Sequence, residues 1–560
     1  MDDDRKTFYV TTPLYYVNSP LTVGGAYTTI VADVVARYQR SRGRRVFFLT
    51  GSDEHGQKIA RAAEEQGISP RALADRVVGT FHELWRMLGI THDDFIRTTE
   101  PRHEQAVSEA FRRLQRKGDI YWGKYQGWYC TPCETFFLPS QIEGGLCPQC
   151  GRTVEKLEEE NWFFRLSAYQ KALEAHFETH PEFVLPSSRR NEMKNRLARG
   201  LNDISISRAG GWGVPVPEGG GQVFWVWFDA LLNYISAPGA FADDKKFGAV
   251  WPADLHLMAK DIVWFHSVLW PALLLALGLP LPKHVFAHGW WTMGGEKISK
   301  SKGSKIFARD LVEEYGADAL RYFVLREIPL GLDGEFSLEA FSRRYRSDLA
   351  HDLGNLLQRT LAMIKKFRAG RIPGPWEGEG GGAMIARARA IWADYDRMME
   401  GLELSQVLEA VWSLIALGNR YIEESKPWAL NQDEGSRRKL DGVLYNLVFT
   451  LLETASFLDP FLPFTAQGIR RQIAPAGELA TVGELATVGE LAKVGELAGE
   501  LATELKLTTE LKLATVLKLA KVFKLAPAPG LLRRLDPSRV PVGAQIGAFQ
   551  PLFPLKEESR

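Results

Sequence analysis

The chain has 560 residues, with 69 Lys and Arg against 68 Asp and Glu, a formal net charge of +1, 45% hydrophobic and 24% charged residues. That balance excludes a disordered or fibrous chain, and the length excludes a single core, since one core rarely grows beyond about 250–300 residues. Near-neutrality neither announces nor excludes a nucleic-acid partner, because a large enzyme can touch one with a single face. The start, Met1 to Lys6, lacks the apolar core of a secretory signal, and the apolar stretch Val268–Leu281 is too short and too proline-interrupted to span a bilayer. Scattered disulfides are absent, all four cysteines lying between Cys130 and Cys150. A cytoplasmic protein without membrane attachment is expected.

In chain order, Phe8–Thr11 is a β-branched strand, Ala26–Arg40 has helical periodicity, and Arg45–Thr50 is a second apolar strand. Gly51-Ser-Asp-Glu-His-Gly56 reads as a turn before a helix at Gln57–Gln66. This β-α-β start favours a parallel sheet with ligands at the carboxyl ends of its strands. From Tyr121 the texture changes to aromatics, short strands and cysteines, as in an inserted subdomain. Strand-like Val223–Phe228 and helical Ile262–Leu277 return to α/β character. From about Ser342 to Gln472 the pattern is helical, punctuated at Gly370–Gly382.

Gly-Glu-Leu-Ala-Thr-Val recurs every six residues from Gly477 and then degrades. Six residues turn a helix through about 600°, so the leucines do not hold one helical face. A stacked solenoid lacks its turn residues in the second half. A sequence expansion in a surface connector is the expectation. Apolar Val542–Leu555 then reads as a segment packing back on the body.

Cys130-Thr-Pro-Cys133 and Cys147-Pro-Gln-Cys150 are two C-x-x-C pairs, thirteen residues apart. Two such turns complete a tetrahedral four-thiolate site, closed and therefore structural, for one zinc ion. A redox pair or two local disulfides is the alternative, although no thioredoxin-like helix follows. Farther on, Lys297-Ile-Ser-Lys-Ser301 follows Gly294-Gly295-Glu296. Two lysines three apart on a glycine-flanked loop can follow a polyphosphate and neutralise its charge, and a solvated lysine-rich loop reads the same way.

With these stretches the chain resembles the class I aminoacyl-tRNA synthetases, and specifically their methionyl branch. The carriers are Phe8-Tyr-Val-Thr-Thr-Pro-Leu-Tyr-Tyr-Val-Asn18, Phe48-Leu-Thr-Gly-Ser-Asp-Glu-His-Gly56, Asp203-Ile-Ser-Ile-Ser-Arg208, Val226-Trp-Phe-Asp-Ala-Leu-Leu-Asn-Tyr234 and the lysine loop, which the family writes KMSKS. The resemblance implies an α/β fold: a Rossmann-type parallel sheet with an inserted zinc-binding connective subdomain, followed by an α-helical anticodon-binding bundle. The expected division is 1–118 and 223–285 for the two halves of the catalytic domain and 119–222 for the insertion. Residues 286–341 then form a stem-contact region and 342–475 the anticodon-binding domain, ahead of the repeat at 476–529 and a returning segment at 530–560.

It further implies that Leu14, Tyr16, Trp227, Ala230, Tyr234, Ile262 and His266 line a methionine side-chain pocket, with Asp53 holding the ammonium. Gly24, Asp261 and Lys300 would meet ATP, delivered as Mg-ATP, and Lys297, Lys300, Thr22 and Gly24 would serve the chemistry. Asn355, Arg359 and Trp428 would read the anticodon of the methionine tRNA by stacking and hydrogen bonding to splayed bases. Lys365, Lys366, Arg368 and Arg371 are candidates for phosphate contacts. Taken singly, each aromatic or polar residue reads as core packing or helix surface. The chain ends without the extra domain of some relatives, and a monomer is expected.

One departure bears on the chemistry. Where the family has His-x-Gly-His, this chain reads Thr22-Val23-Gly24-Gly25, with Leu21 at the usual proline. Ala259, Ser304 and Ala308 are smaller departures. Nearby Lys297 or His55 could replace the missing donors. The implied activity is methionine–tRNA ligation. The alternatives are a catalytically impaired paralogue that binds methionine or tRNA, and an enzyme making an aminoacyl-adenylate for another acceptor.

Overall fold

The computed structural model describes residues 7–130, 135–137, 142–148, 151–217, 219–298, 306–375, 381–474 and 540–554. The chain divides into two compact units. The first comprises Met1–Ala36, Arg45–Ser342 and Leu402–Ser405; the second comprises Arg37–Arg44, Arg343–Gly401 and Gln406–Arg560.

The first unit is built on a seven-stranded sheet. Strand Phe8–Thr11 lies at its middle, paired in parallel on one edge with Val46–Asp53 (Phe8 opposite Val46, Thr11 opposite Leu49) and on the other with Leu255–Ala259. Tyr15–Tyr16 and Asp94–Arg97 pair with Val46–Asp53, while His284–His288 follows Leu255–Ala259 and carries the edge strand Val184–Leu185. Every pairing in this sheet is parallel, so all the strands deliver their carboxyl ends to one side. The chain moves from the central strand first to one edge and later to the other. A crevice opens at such a switch point, where open α/β sheets bind ligands.

The expected turn at 51–56 begins later than its glycine suggests, because the strand continues through Asp53. A Cβ on Gly51 would come within 2.0 Å of the Ile96 carbonyl oxygen and 2.8 Å of Leu14. This glycine permits close approach inside a sheet instead of a turn. The turn proper sits at Gly56, whose φ of +99° lies in the region that favours glycine, and the helix Gln57–Glu64 follows. Likewise the strand expected over Val223–Phe228 ends at Phe224, and Val226–Leu231 is helical. The apolar run gave no periodicity to separate the two, and burial of Trp225 and Phe228 in the core decides the matter.

Inserted between the halves of the sheet is a four-stranded antiparallel sheet of Thr135–Phe137, Ile120–Cys130, Glu155–Phe164 and Ile204–Ser205. A buried ion pair braces the first unit: Arg321 Nη1 lies 2.8 Å from Asp33 Oδ2, both fully buried. Asp33 Oδ1 also accepts from the Thr91 amide and hydroxyl, at 2.8 and 2.7 Å. These bonds satisfy charges that would otherwise be costly to bury.

The second unit is helical, with helices Asn355–Arg368, Gly382–Glu400, Leu404–Ser425, Glu434–Leu458 and Pro463–Ile473 among the described residues. Its core includes Leu356, Tyr395, Leu444 and Phe457. Residues 540–554 lie along it. The Ile372 amide donates to Ala544 at 3.0 Å, the Gly543 amide donates to Ile372 at 2.7 Å, and the Tyr345 hydroxyl donates to the Pro554 carbonyl at 2.8 Å. The hexapeptide repeat lies outside the described residues. Among them, no helix is long and apolar enough to cross a membrane.

Candidate active site

A cavity of about 340 Å³ opens at the carboxyl ends of the central strands. Leu14 and Tyr16 reach it from the segment after the first strand, Asp53 from the end of the second, Ala259 from the end of Leu255–Ala259, and Asp261 and Ile262 from just beyond it. Trp227, Ala230 and Tyr234 come from the two short helices at Val226–Ser236, and His266 from the turn beyond Ile262. The seven residues expected around a methionine side chain, and Asp53 expected at its ammonium, therefore share one space with Thr22, Gly24 and Asp261.

The floor is aromatic and uncharged. His266 Nδ1 lies 3.0 Å from the Ile262 carbonyl, which can only accept, so this nitrogen carries the proton. Nε2 is then the acceptor for the Tyr234 hydroxyl at 2.8 Å. Burial pulls the His266 pKa down to about 4, so the ring is neutral at pH 7. Trp227 stacks on Phe265, with centroids 3.7 Å apart and planes inclined by 5°. Such a surface suits a soft, uncharged thioether and rejects a cationic or carboxylate side chain.

The cavity lining also includes the altered signature. Thr22 forms an antiparallel bridge with Phe307, and the Val23 amide donates to Ile306 at 3.2 Å. The helix Val23–Ser41 thus begins at the cavity, where its amino end favours an anion. A Cβ on Gly24 would meet nothing closer than Thr22 Oγ1 at 3.9 Å, which leaves that position open to a ligand. Gly25 is different. A Cβ there would come 2.7 Å from Leu21 Cδ2, so Leu21 takes the space of a side chain at position 25.

Lys297 lies in the two-residue strand Glu296–Lys297, paired with Trp291–Met293, and Ile298 next to it lines the cavity. Lys300, Cys133 and Cys150 lie outside the described residues. Cys130 and Cys147 are both buried in one small apolar cluster with Val154. The Gly151 amide donates to the Cys147 carbonyl at 2.8 Å, closing a tight turn after that cysteine.

In the helical unit Asn355 is exposed and Trp428 is 53% exposed, so Trp428 is not core packing. Arg359 Nη1 lies 2.7 Å from Glu423, near the end of the helix that leads to Trp428. Arg368 bonds Asp441 and the Arg437 carbonyl.

His55 does not replace the missing histidines. Its Nδ1 lies 2.7 Å from Asp229 Oδ2, and Asp229 Oδ1 lies 2.8 Å from His103 Nε2. All three are buried, and His55 does not line the cavity. The signal for this was available in the neighbouring Asp229, a carboxylate inside an aromatic run that needs a buried partner. Other lining residues that sequence reasoning missed are Asn18, Tyr27, Lys58 and His288, whose Nε2 lies 2.7 Å from the Thr28 hydroxyl.

Three comparisons with known proteins bear on this geometry. The family model for tRNA synthetases class I (M) matches residues 8–157 and 151–361. The methionine–tRNA ligase of Caldanaerobacter subterraneus is 48% identical over 478 residues, 85% of this chain and 75% of that one. The chain belongs to this synthetase family. A methionine–tRNA ligase of Thermotoga maritima is 47% identical over 473 residues, 83% of this chain and 75% of its own. Among solved structures, the Mycobacterium tuberculosis methionyl-tRNA synthetase bound by methionyl-adenylate matches with a TM-score of 0.82 at 38% identity. That match covers 86% of this chain and 97% of the other. The parallel sheet and cavity described above thus stand in a synthetase frame.

Burial raises the Asp229 pKa, but the charge of His55 and the bonds from His103 and His55 outweigh it and bring the carboxyl down to about 2. Burial lowers the His55 pKa, and the charge and hydrogen bond of Asp229 reverse this to leave it above its ordinary value. The signs follow from linkage. Asp229 stabilises the fold above its unfolded pKa, a contribution lost as pH falls toward 2. The His55 contribution is complete below its unfolded pKa near 6.5 and is lost as pH rises through the folded value. Asp229→Asn should cost about 3–5 kcal/mol in denaturant unfolding and lower the His55 titration point in an NMR titration, because burial then acts on the ring without the carboxylate that opposes it. An unshifted His55 resonance in that variant contradicts the ion pair.

Proposed function

We propose that this chain is a methionine–tRNA ligase that activates methionine in the cavity and passes it to tRNA. The observation that carries the reading is the meeting, in one space, of a neutral aromatic floor, the Asp53 carboxylate and an open helix amino end at Gly24. The floor takes the thioether; Asp53 takes the substrate ammonium; Asp261, which accepts from the Trp290 indole at 3.0 Å, faces the nucleotide ribose. An oxygen of the methionine carboxylate attacks the α-phosphorus of Mg-ATP, the bond to the bridging oxygen breaks, and pyrophosphate leaves. The terminal ribose hydroxyl of the tRNA then attacks the adenylate carbonyl, loses its proton, and releases AMP.

Negative charge grows on the α-phosphate in the first step. The Thr22 hydroxyl, the helix amino end and the loop lysines Lys297 and Lys300 are the donors this chain offers there. One missing preorganised donor typically costs on the order of 10²–10³ in rate. Methionine-dependent pyrophosphate exchange is therefore expected in the wild-type chain, at a low rate. Thr22→His with Gly25→His should raise it on the order of 10²-fold when Leu21→Ala makes room, and less without that change. Exchange absent despite measurable methionine binding contradicts the ligase reading.

A structural zinc ion fits the insertion. Cys130 and Cys147 are buried together in one small cluster, away from solvent, as the ligands of a closed structural site would be. Cys133 and Cys150 complete the four-thiolate set by sequence, and such an ion contributes folding energy without taking part in the reaction. Metal analysis of the purified chain should find about one zinc per chain. Cys130→Ser should lose it, and a chain that never holds zinc contradicts the assignment.

Asn355, Arg359 and exposed Trp428 support recognition of a single-stranded anticodon loop by stacking and hydrogen bonding. Trp428→Ala should weaken tRNA binding by about 1–3 kcal/mol while leaving pyrophosphate exchange unchanged. Unchanged tRNA affinity removes the assignment. A monomer in the cytoplasm is the arrangement proposed for this activity.

A further inference from the structure

An amino-acid substrate presents two opposite charges at its reacting end, and the activated group is the negative one. A site that holds only the ammonium leaves the carboxylate free to swing away from the α-phosphorus, and two approaching anions repel. Among the described residues lining the cavity, Lys58 is the only lysine or arginine. It stands in the first turn of the helix Gln57–Glu64, which carries no acidic residue there. A cation at a helix amino end opposes the macrodipole, so its presence calls for a reason outside local helix stability.

Position supplies that reason. Tyr16 is paired in register with Asp53, and the Lys58 ammonium sits 4.7 Å from the centroid of the Tyr16 ring. The glycine turn at Gly56 folds the chain back after the strand, so the carboxylate at residue 53 and the cation at residue 58 flank the same tyrosine on one cavity wall. Opposite charges thus stand on one wall, in the pattern that complements a zwitterion. The ring beneath holds the flexible lysine stem by a cation–π contact and limits the rotamer freedom lost on binding.

We propose that Lys58 binds the carboxylate of the amino-acid substrate and orients it toward the α-phosphate. The proposal rests on the reading of the cavity as the methionine site. Lys58 accordingly bridges the two anions in the first step, a task that grows in weight where both signature histidines are missing. It takes one carboxylate oxygen and leaves the other to attack.

Isothermal titration of the full chain with two ligands tests this. L-methionine carries the carboxylate, and methioninol has the same side chain and ammonium with a hydroxymethyl group in its place. Lys58→Met keeps the stem and removes the charge. It should weaken methionine binding about ten- to a hundredfold and leave methioninol within about twofold, with thermal unfolding unchanged. Lys58→Arg should recover most of the methionine affinity, and Asp53→Asn should weaken both ligands. Equal loss of both ligands in Lys58→Met marks a structural role and overturns the proposal, as does loss of ATP affinity with methionine unaffected. If the wild-type chain binds neither ligand, the methionine reading falls and the proposal falls with it, a result distinct from failure at Lys58 alone.

Discussion

Strand Phe8–Thr11 has parallel neighbours on both edges, and the chain leaves it toward one edge first and the other edge much later. That placement constrains everything downstream. Because all pairings in the sheet are parallel, the segments after Thr11, Asp53, Ala259 and His288 emerge side by side, although nearly three hundred residues separate the first from the last. The insertion and its cysteines leave and rejoin without disturbing this order. Residues that bind one small molecule can thus be scattered through the sequence and still meet.

Two kinds of wall meet there, and their electrostatics differ. The floor around Tyr234 and His266 is held neutral by burial and by a hydrogen-bond chain whose proton positions are fixed by the Ile262 carbonyl. The wall around Asp53, Lys58 and the amino end of Val23–Ser41 is charged or dipolar. A substrate with an apolar tail and a zwitterionic head is oriented by that contrast before any single contact is counted. Behind the charged wall, Asp229 joins His55 to His103, and this buried bridge links the Asp53 segment with the helix that presents Trp227 and Ala230. Groups that line the cavity are kept in place by groups that do not.

Much of this was legible in the sequence. The β-branched run at Phe8 and the helix after it are read from their periods, and the eight methionine-site residues follow from family resemblance. Legibility failed where the same residue type serves two ends. Gly51 reads as a turn former but allows two strands and Leu14 to approach, a fact that depends on Ile96 forty-five residues away. His55 reads as a spare donor near the nucleotide, yet a carboxylate 174 residues later claims it. Lys58 belongs to no motif, and only its place beside Tyr16 in the cavity singles it out. The consequence of Gly25 was visible only in part: the missing imidazole is plain in the sequence, whereas the occupation of its space by Leu21 is a packing fact.

The central claim is that one cavity holds methionine and the adenylate moiety together. Calorimetric titration with a non-hydrolysable methionyl-adenylate analogue, the reactive phosphate replaced by a sulfamoyl group, addresses it directly. Joining the two ligands removes the entropy loss of binding the second, so the analogue should bind at least about 10²-fold tighter than methionine and displace both methionine and ATP. An analogue that binds no tighter than methionine, or that leaves ATP binding undisturbed, contradicts a shared cavity.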